Sequence, residues 1–171
     1  MIRYALLKEN QLEAFREFSS WIFNETFAPT NSAESMQAYM DEAFTREQFL
    51  KEFHEPGAIS CLALNDETII GYFRIRRNSE ADHWLGENNL ELQRFYLHPE
   101  YQGQGIAQEM MKLVYENCKS CEWIWLGVWE QNPRAVQFYK KCGFERFAEH
   151  HFKMGEELQT DWLMRKRILQ T

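Results

Sequence analysis

The sequence predicts a mixed α/β fold, because short apolar stretches typical of strands are interspersed with segments of helical periodicity. The central stretch, residues 91–115, contains one of each. A strand rich in large apolar side chains ends at Leu97, and a helix with a regular apolar face begins near Ile106. Neither an internal repeat nor a linker interrupts the pattern, and 171 residues are enough for one hydrophobic core. We therefore expect residues 1–171 to form one domain.

The N-terminal half is predicted to contain a strand, three helical segments and a hairpin. Apolar residues recur at helical spacing through the first helix, and Thr45 with Gln48 forms a capping-box pattern at the start of the third. The polar residues 77–89 predict an irregular loop after the hairpin. The predicted elements are a strand over residues 2–7, a helix over 11–27, a helical region over 32–44, a helix over 45–53, and hairpin strands over 58–64 and 68–76.

The C-terminal half is predicted to contain four further strands and two helices. Pro99 ends the strand that precedes it, because proline cannot donate a hydrogen bond to a neighbouring strand. Asn132 is a suitable N-cap for a short helix, Pro133 suits its first turn, and Gly143 suits its end. The predicted elements are strands over residues 90–97, 123–128, 144–152 and 160–167, and helices over 106–115 and 133–141, with a turn at Gly155.

Charge and composition argue against several classes of protein. The net charge of −7 argues against a nucleic-acid partner and is compatible with a cationic substrate. Aromatic residues make up 15% of the chain, which is typical of a globular rather than a disordered protein. The apolar runs are too short to span a membrane, and the N-terminus lacks the apolar core of a signal peptide. We therefore expect a cytoplasmic protein with no membrane partner.

Cysteine usage raises the question of a zinc or redox site, because two of the four cysteines, Cys118 and Cys121, are separated by two residues. A structural zinc site would need a second ligand pair, and His150 and His151 are adjacent rather than suitably spaced. A thioredoxin-like pair would lie at the N-terminus of a helix, whereas this pair falls at a helix C-terminal end. We expect reduced, structural cysteines and no metal site.

The strongest chemical signal is the pair Gly103 and Gly105, between the central strand and the helix that follows it. Two glycines there let backbone N–H groups crowd around one point, and the helix N-terminus adds free donors and the positive end of its dipole. Such a turn suits a diphosphate, although a tight turn without a ligand has the same pattern. A Rossmann fingerprint would need a small residue where Gln108 stands, so that interpretation is weak. A P-loop is excluded, because no Gly-Lys-Ser/Thr follows.

Two motifs in order resemble those of the GNAT-superfamily N-acetyltransferases. Residues 102–107, Gln-Gly-Gln-Gly-Ile-Ala, fit the acetyl-CoA loop Q/R-x-x-G-x-G/A of that family. Residues 132–144 are similar to its second signature, N-x-x-A-x-x-x-Y-x-x-x-G-F. Residues 125–130, 154–161 and 31–44 also resemble the bacterial PaiA-type spermidine/spermine acetyltransferases, so the resemblance covers nearly the whole chain.

The resemblance implies a fold, a cosubstrate and a set of site residues. The sheet would be mostly antiparallel, with six to seven strands, and would splay between its fourth and fifth strands near Gly127 to admit acetyl-CoA. Tyr139 would protonate the departing thiolate, although its apolar neighbours also suit a core residue. Asn132 would hydrogen-bond the cofactor, although a helix cap explains it equally. The implied cofactor-binding residues are Phe95, Tyr96 and Leu97 through their main chain, the loop Gln102, Gly103, Gln104, Gly105, Ile106 and Ala107, and Asn132 and Tyr139.

The same resemblance implies a small primary amine as acceptor, with a polyamine such as spermidine or spermine favoured. Its ammonium group must lose a proton, and either Glu91 or a chain of water molecules would act as the base. Carboxylates and aromatic faces recognise protonated amines, and the candidates are Glu25, Glu34, Asp41, Glu42, Glu91, Tyr39 and Trp129. The alternatives are another amine (a protein N-terminus, a lysine or an aminoglycoside) and a non-catalytic acetyl-CoA-binding regulator. A homodimer is compatible with the superfamily.

Overall fold

One mixed sheet forms the centre of the protein, whose structure, a computed structural model, describes residues 1–168. Within that range the sheet has seven strands, in the order β1-β2-β3-β4-β5-β7-β6, and only the β4–β5 pair is parallel. The strands are β1 (Ile2–Leu6), β2 (Ile59–Asn65), β3 (Thr68–Arg76), β4 (Asn89–Leu97), β5 (Trp123–Trp129), β6 (Glu145–Met154) and β7 (Glu157–Arg167). The predicted mixed, mostly antiparallel fold is confirmed.

The parallel pair separates after only three residue pairs, from Asn89 with Trp123 to Glu91 with Trp125. Both strands continue beyond this point without pairing with each other, so a wedge opens between them. A β-bulge in β4 adds to the divergence, because Arg94 pairs with Arg74 on β3 while Leu92 pairs with Ile75, which leaves Gln93 as an extra residue. The sheet is therefore splayed where the resemblance implies.

Helices cover both faces of the sheet. On one face, α5 (Ile106–Asn117) and α6 (Pro133–Lys141) pack against the largest core cluster. On the other face, α1 (Leu12–Phe27), α2 (Ala33–Ala43) and α3 (Arg46–Phe53) cover β1 to β4, and the short α4 (Asp82–Leu85) packs on β5 and β7. Among residues 1–168, none of the helices combines the length and the apolar character that crossing a bilayer would need.

Two sequence predictions were wrong in detail. Residues 77–89, predicted as an irregular loop, contain α4, because Asn78 caps a turn through the Glu80 N–H group at 3.0 Å and Leu85 is buried against Trp125. The last hairpin is also tighter than predicted. Gly155, with a φ of 59°, allows a two-residue turn directly between Met154 and Glu157.

Candidate active site at the splay

A cleft of about 430 Å³ lies beside the free edge of β4. The end of β4, the glycine turn with the start of α5, the inner side of α6 and one side of α1 form its walls. All the predicted cofactor-binding residues line it except Gln104, Gly105 and Ile106, so the lining set comprises Phe95, Tyr96, Leu97, Gln102, Gly103, Ala107, Asn132 and Tyr139. Residues as far apart in the sequence as Phe95 and Tyr139, which are separated by 44 positions, therefore line one cleft.

The main chain of β4 offers hydrogen-bonding groups to this cleft. The His98 N–H group donates to Ile70 O on β3 at 2.7 Å, so alternation directs the main-chain groups of Phe95 and Leu97 away from β3. No β5 partner reaches this edge, because the pairing ends at Glu91. The Tyr96 main chain points toward β3, where its carbonyl oxygen faces Gly71. The main-chain hydrogen-bonding groups of Tyr96, which were expected to face the cofactor, therefore face β3 instead.

The glycine turn has the geometry of an anion site. Gly103 and Gly105 have φ values of 77° and 83°, which glycine adopts without strain. The first N–H group of α5 with a carbonyl partner is that of Glu109, which donates to Gly105 O at 3.1 Å. Between described residues, no backbone hydrogen bond uses the N–H groups of residues 103–108. These free donors at a helix N-terminus fit a diphosphate.

Two polar side chains of α6 face the same cleft. Asn132 is the N-cap, since its Oδ1 accepts from Ala135 N at 3.2 Å, and it lines the cleft as well. Tyr139 is buried, and its ring lies edge-on to Phe95 with a centroid distance of 6.3 Å. Burial raises the pKa of Tyr139, so its hydroxyl keeps its proton and can donate it or hydrogen-bond. Asn132 is therefore both a helix cap and a lining residue of the cleft, and Tyr139 is both a core residue and a lining residue.

A second pocket of about 200 Å³ lies over the other side of the splay. Tyr96 lines both cavities and is the residue that their described linings share. Aromatic side chains make up most of the second pocket, and its polar groups are Gln93, Arg94, Gln159 and Asp161. The predicted candidates Tyr39 and Trp129 lie here. The aromatic lining is Phe23, Phe27, Tyr39, Phe44, Tyr72, Tyr96, Trp129 and Phe152.

Arg94 is the one guanidinium among the described lining residues of this pocket, and it is paired with a carboxylate that does not line the pocket. Arg94 forms a bidentate pair with Glu52, with distances of 2.6 and 2.9 Å. Burial lowers the pKa of Arg94, but the neighbouring Tyr72 and Glu52 together hold that pKa above its usual range. The neighbouring Arg74 pairs with Glu55 at 2.5 Å. Two cations thus face two carboxylates, and the cluster carries no net charge.

Asp161 on β7 is the carboxylate of this pocket. It lies opposite Trp129 on β5 and His150 on β6, and its Oδ2 is 3.5 Å from His150 Nε2. His150 Nδ1 contacts Glu80 at 2.6 Å on the outer side. Hydrogen bonding to Asp161, and then to Glu80, raises the pKa of His150 to about 9 although burial opposes the shift.

The remaining acidic candidates do not line the second pocket. Glu91 accepts from Arg76 Nε at 2.6 Å and from Asn78 Nδ2 at 3.0 Å, and it lines neither cavity. Glu25 lines the first cleft instead. Glu34, Asp41 and Glu42 are exposed on α2 and line neither of the two cavities.

The paired cysteines lie where the sequence predicted, because α5 ends at Asn117 and Cys118 is its C-cap. Both are buried, and Cys121 Sγ contacts Cys118 O at 3.0 Å. The residues that the structure describes contain no group of three or more histidines, cysteines and carboxylates arranged to hold a metal ion.

Family comparison agrees with the cleft and its glycine turn. The model of the acetyltransferase (GNAT) family matches residues 16–144, which include both signature motifs and most of the sheet. The chain belongs to this family. Like other GNAT acetyltransferases it uses acetyl-CoA, and the free N–H groups of the glycine turn fit the pyrophosphate of that cosubstrate.

Similarity of this GNAT acetyltransferase to one relative and to one solved structure extends over nearly the whole chain. It is 30% identical to an uncharacterized N-acetyltransferase from the pepI 3' region of Lactobacillus delbrueckii subsp. lactis, across 98% of each chain. It is 31% identical to a probable spermine N(1)-acetyltransferase of Bacillus subtilis subsp. natto, over 53% of this chain and 60% of that one. The PaiA N-acetyltransferase of Thermoplasma acidophilum, solved with coenzyme A, has the same fold. That likeness has a TM-score of 0.78 at 24% identity and covers 98% of this chain and 99% of the other.

Proposed function

We propose that this protein transfers the acetyl group of acetyl-CoA to a primary amine of a polyamine such as spermidine or spermine. The amine nitrogen forms a bond to the acetyl carbon while the bond between that carbon and sulfur breaks. The nitrogen gives up a proton, and the departing thiolate takes one. The products are the N-acetylated amine and coenzyme A.

The observation that carries the proposal is the meeting of two cavities at Tyr96. The first cavity has free main-chain donors for a diphosphate, and the second has aromatic walls and the carboxylate of Asp161. Aromatic faces and carboxylates stabilise protonated amines through cation–π and charge interactions. The names of two relatives, a probable spermine acetyltransferase and a PaiA enzyme, support the same acceptor class.

Residues of the first cleft and of the glycine turn would bind acetyl-CoA. The N–H groups of residues 103–108 would hold the pyrophosphate, and the outward main chain of Phe95 and Leu97 would pair with the amides of the pantetheine arm. The Leu97 carbonyl already accepts from Gln102 Nε2 at 2.9 Å, so we assign the pairing to Phe95 and to the Leu97 N–H group. Asn132 would add a side-chain hydrogen bond.

Proton transfer sets the difficulty of the reaction. An alkyl ammonium with a pKa of about 10.4 costs on the order of 4–5 kcal/mol to deprotonate at pH 7. Glu91 is engaged by Arg76 and Asn78, so we propose that the proton leaves through water in the acceptor pocket rather than to Glu91. Tyr139 would supply hydrogen bonding or a proton to the sulfur, since burial keeps its hydroxyl protonated.

A coenzyme A release assay with a panel of acceptors tests the proposal. The panel contains spermidine, spermine, butylamine, a neutral arylamine, lysine and an N-terminal peptide. We expect the polyamines to have the highest kcat/KM, and their KM to rise with salt because charge pairs are screened. Equal turnover of the arylamine and spermidine would contradict the polyamine assignment. Tight acetyl-CoA binding without turnover of any amine would instead indicate a binding protein.

A further inference from the structure

Asp161 lines the second pocket close to Gly127 of β5. A Cβ atom on Gly127 would lie 3.5 Å from Asp161 Oδ2, so the absence of a side chain at Gly127 leaves the carboxylate accessible from the splay. Gly127 lies on β5 and itself lines the pocket. The Asp161 side chain is 19% exposed, which is enough to meet a ligand but not to be fully hydrated.

The charges around this pocket favour a cation. The formal charges of Arg74, Arg94, Glu52 and Glu55 sum to zero. The net charge near the pocket is therefore set by Asp161 and its neighbours His150 and Glu80. With His150 protonated these three groups sum to −1, and with His150 neutral they sum to −2. A ligand carboxylate would therefore meet no free cation among the described lining residues, whereas an ammonium group would meet Asp161.

The walls favour a narrow, unbranched ligand. Trp129 lies directly opposite Asp161 in the strand register and packs on Phe27, with ring centroids 5.8 Å apart. Tyr39 meets Phe152 edge-on at 5.5 Å. Aromatic rings of this kind pack on methylene groups and stabilise cations through their π electrons. A volume of about 200 Å³ lies below the roughly 300 Å³ of pockets for drug-sized ligands, which disfavours a multi-ring aminoglycoside.

We propose that Asp161 binds an ammonium group of the acceptor, and that the surrounding aromatic residues select an unbranched alkyl chain bearing it. Asp161 is then the specificity-determining residue of the acceptor site. This inference rests on the proposed transfer to an amine and adds the group that recognises it. His150 positions the carboxylate from the side away from the pocket.

Two carboxylates on either side of His150 provide a matched test. Asp161→Asn removes the charge inside the pocket without a change in size, and Glu80→Gln removes the same charge at the outer side. We expect Asp161→Asn to raise the KM for spermidine at least about tenfold, which corresponds to ~1.4 kcal/mol, and Glu80→Gln to change it less than about threefold. Both variants should keep the KM for acetyl-CoA within about threefold. The KM for a neutral arylamine should also be unchanged in Asp161→Asn.

Gly127→Ala gives a second measurement that leaves the carboxylate intact. Its methyl group meets Asp161 at an ordinary contact distance, so the variant should fold and should still raise the KM for spermidine. Equal KM values for spermidine in the wild type, Asp161→Asn and Gly127→Ala would overturn the assignment while leaving polyamine acetylation intact.

Failure of the proposed polyamine acetylation can be distinguished from failure of the Asp161 assignment. If the wild type acetylates another cationic amine and not a polyamine, the proposed function fails, and the same variants are compared with that amine. If no amine is acetylated, calorimetric titration of spermidine into protein saturated with coenzyme A decides. Binding at least about tenfold weaker in Asp161→Asn would support the site, and equal or undetectable binding in both proteins would overturn it.

Discussion

Gln102 donates a hydrogen bond from its Nε2 atom to the carbonyl oxygen of Leu97, at 2.9 Å. This bond joins the first residue of the glycine turn to the last residue of β4. Two parts of the first cleft, the free edge of β4 and the loop of free N–H groups, are thereby fixed relative to each other. The side chain of Gln102 thus holds the turn against β4, and the groups of the turn that are free to bind a ligand are backbone N–H groups.

Gly105→Ala should weaken acetyl-CoA binding about tenfold, or ~1.4 kcal/mol, as measured by calorimetry. The φ of 83° at this position strains any side chain, and the N–H groups of the loop would shift away from a common point. A Cβ atom here meets nothing within 4 Å, so no steric clash adds to the backbone strain.

Gly57→Ala is the matched control, because Gly57 also has a positive φ, of 76°, and open space around its Cβ position. Both variants should lose about 1–2 kcal/mol of unfolding free energy from the same backbone strain. Equal acetyl-CoA affinity in the two variants would remove the glycine turn from the binding site.

The local parts of the site could be predicted from sequence because their causes are local. A strand, two glycines and a helix start follow one another at residues 90–106, and they form the strand edge and the anion site with positive φ at both glycines. Asn132 and Pro133 likewise start α6 through their own chemistry.

Of the second pocket, the sequence predicted Tyr39 and Trp129 but not Asp161, because Asp161 reaches the pocket through the pairing of distant strands. Asp161 faces Trp129 and His150 only through the register of β7 with β5 and β6. Asp161 lies in a strand-like segment, where it has no distinguishing signal. The bulge at Gln93, and the ion pair that engages Glu91 with Arg76, also depend on residues of another strand.

Tyr139→Phe should lower kcat at least about tenfold and change acetyl-CoA affinity less than about threefold. The ring is kept, so its packing against Phe95 and Phe144 survives, while the hydroxyl that would assist the departing sulfur is lost. A loss confined to the transition state lowers kcat without weakening ground-state binding. Steady-state kinetics with a saturating amine, together with calorimetry, measure both quantities. An unchanged kcat would make Tyr139 a packing residue.

Gly155→Ala should destabilise the protein by about 2–4 kcal/mol in urea unfolding. Its φ is 59°, and a Cβ atom would lie 2.7 Å from Ser35 Cα, so backbone strain is joined by a clash with α2. Because α2 and the β6–β7 hairpin both line the proposed acceptor pocket, the KM for the amine should rise while that for acetyl-CoA stays constant. Gly57→Ala, which has only the strain, serves as the reference. A stability loss no greater than that of Gly57→Ala would show that the contact with Ser35 yields easily.

His150→Gln should flatten the pH dependence of stability between about pH 6.5 and 9. In the folded protein the flanking Asp161 and Glu80 raise the pKa of His150 to about 9, above its ordinary value of about 6.5. A raised pKa stabilises the fold fully below pH 6.5, and that stabilisation is lost as the pH rises through 9. The Tm of the wild type should therefore fall over this range more steeply than that of His150→Gln. His151→Gln, on the adjacent exposed residue, should retain the wild-type slope. Parallel Tm curves for His150→Gln and the wild type would mean that the two carboxylates do not hold a charged imidazole, and an NMR titration of the His150 ring would then report a pKa near its ordinary value.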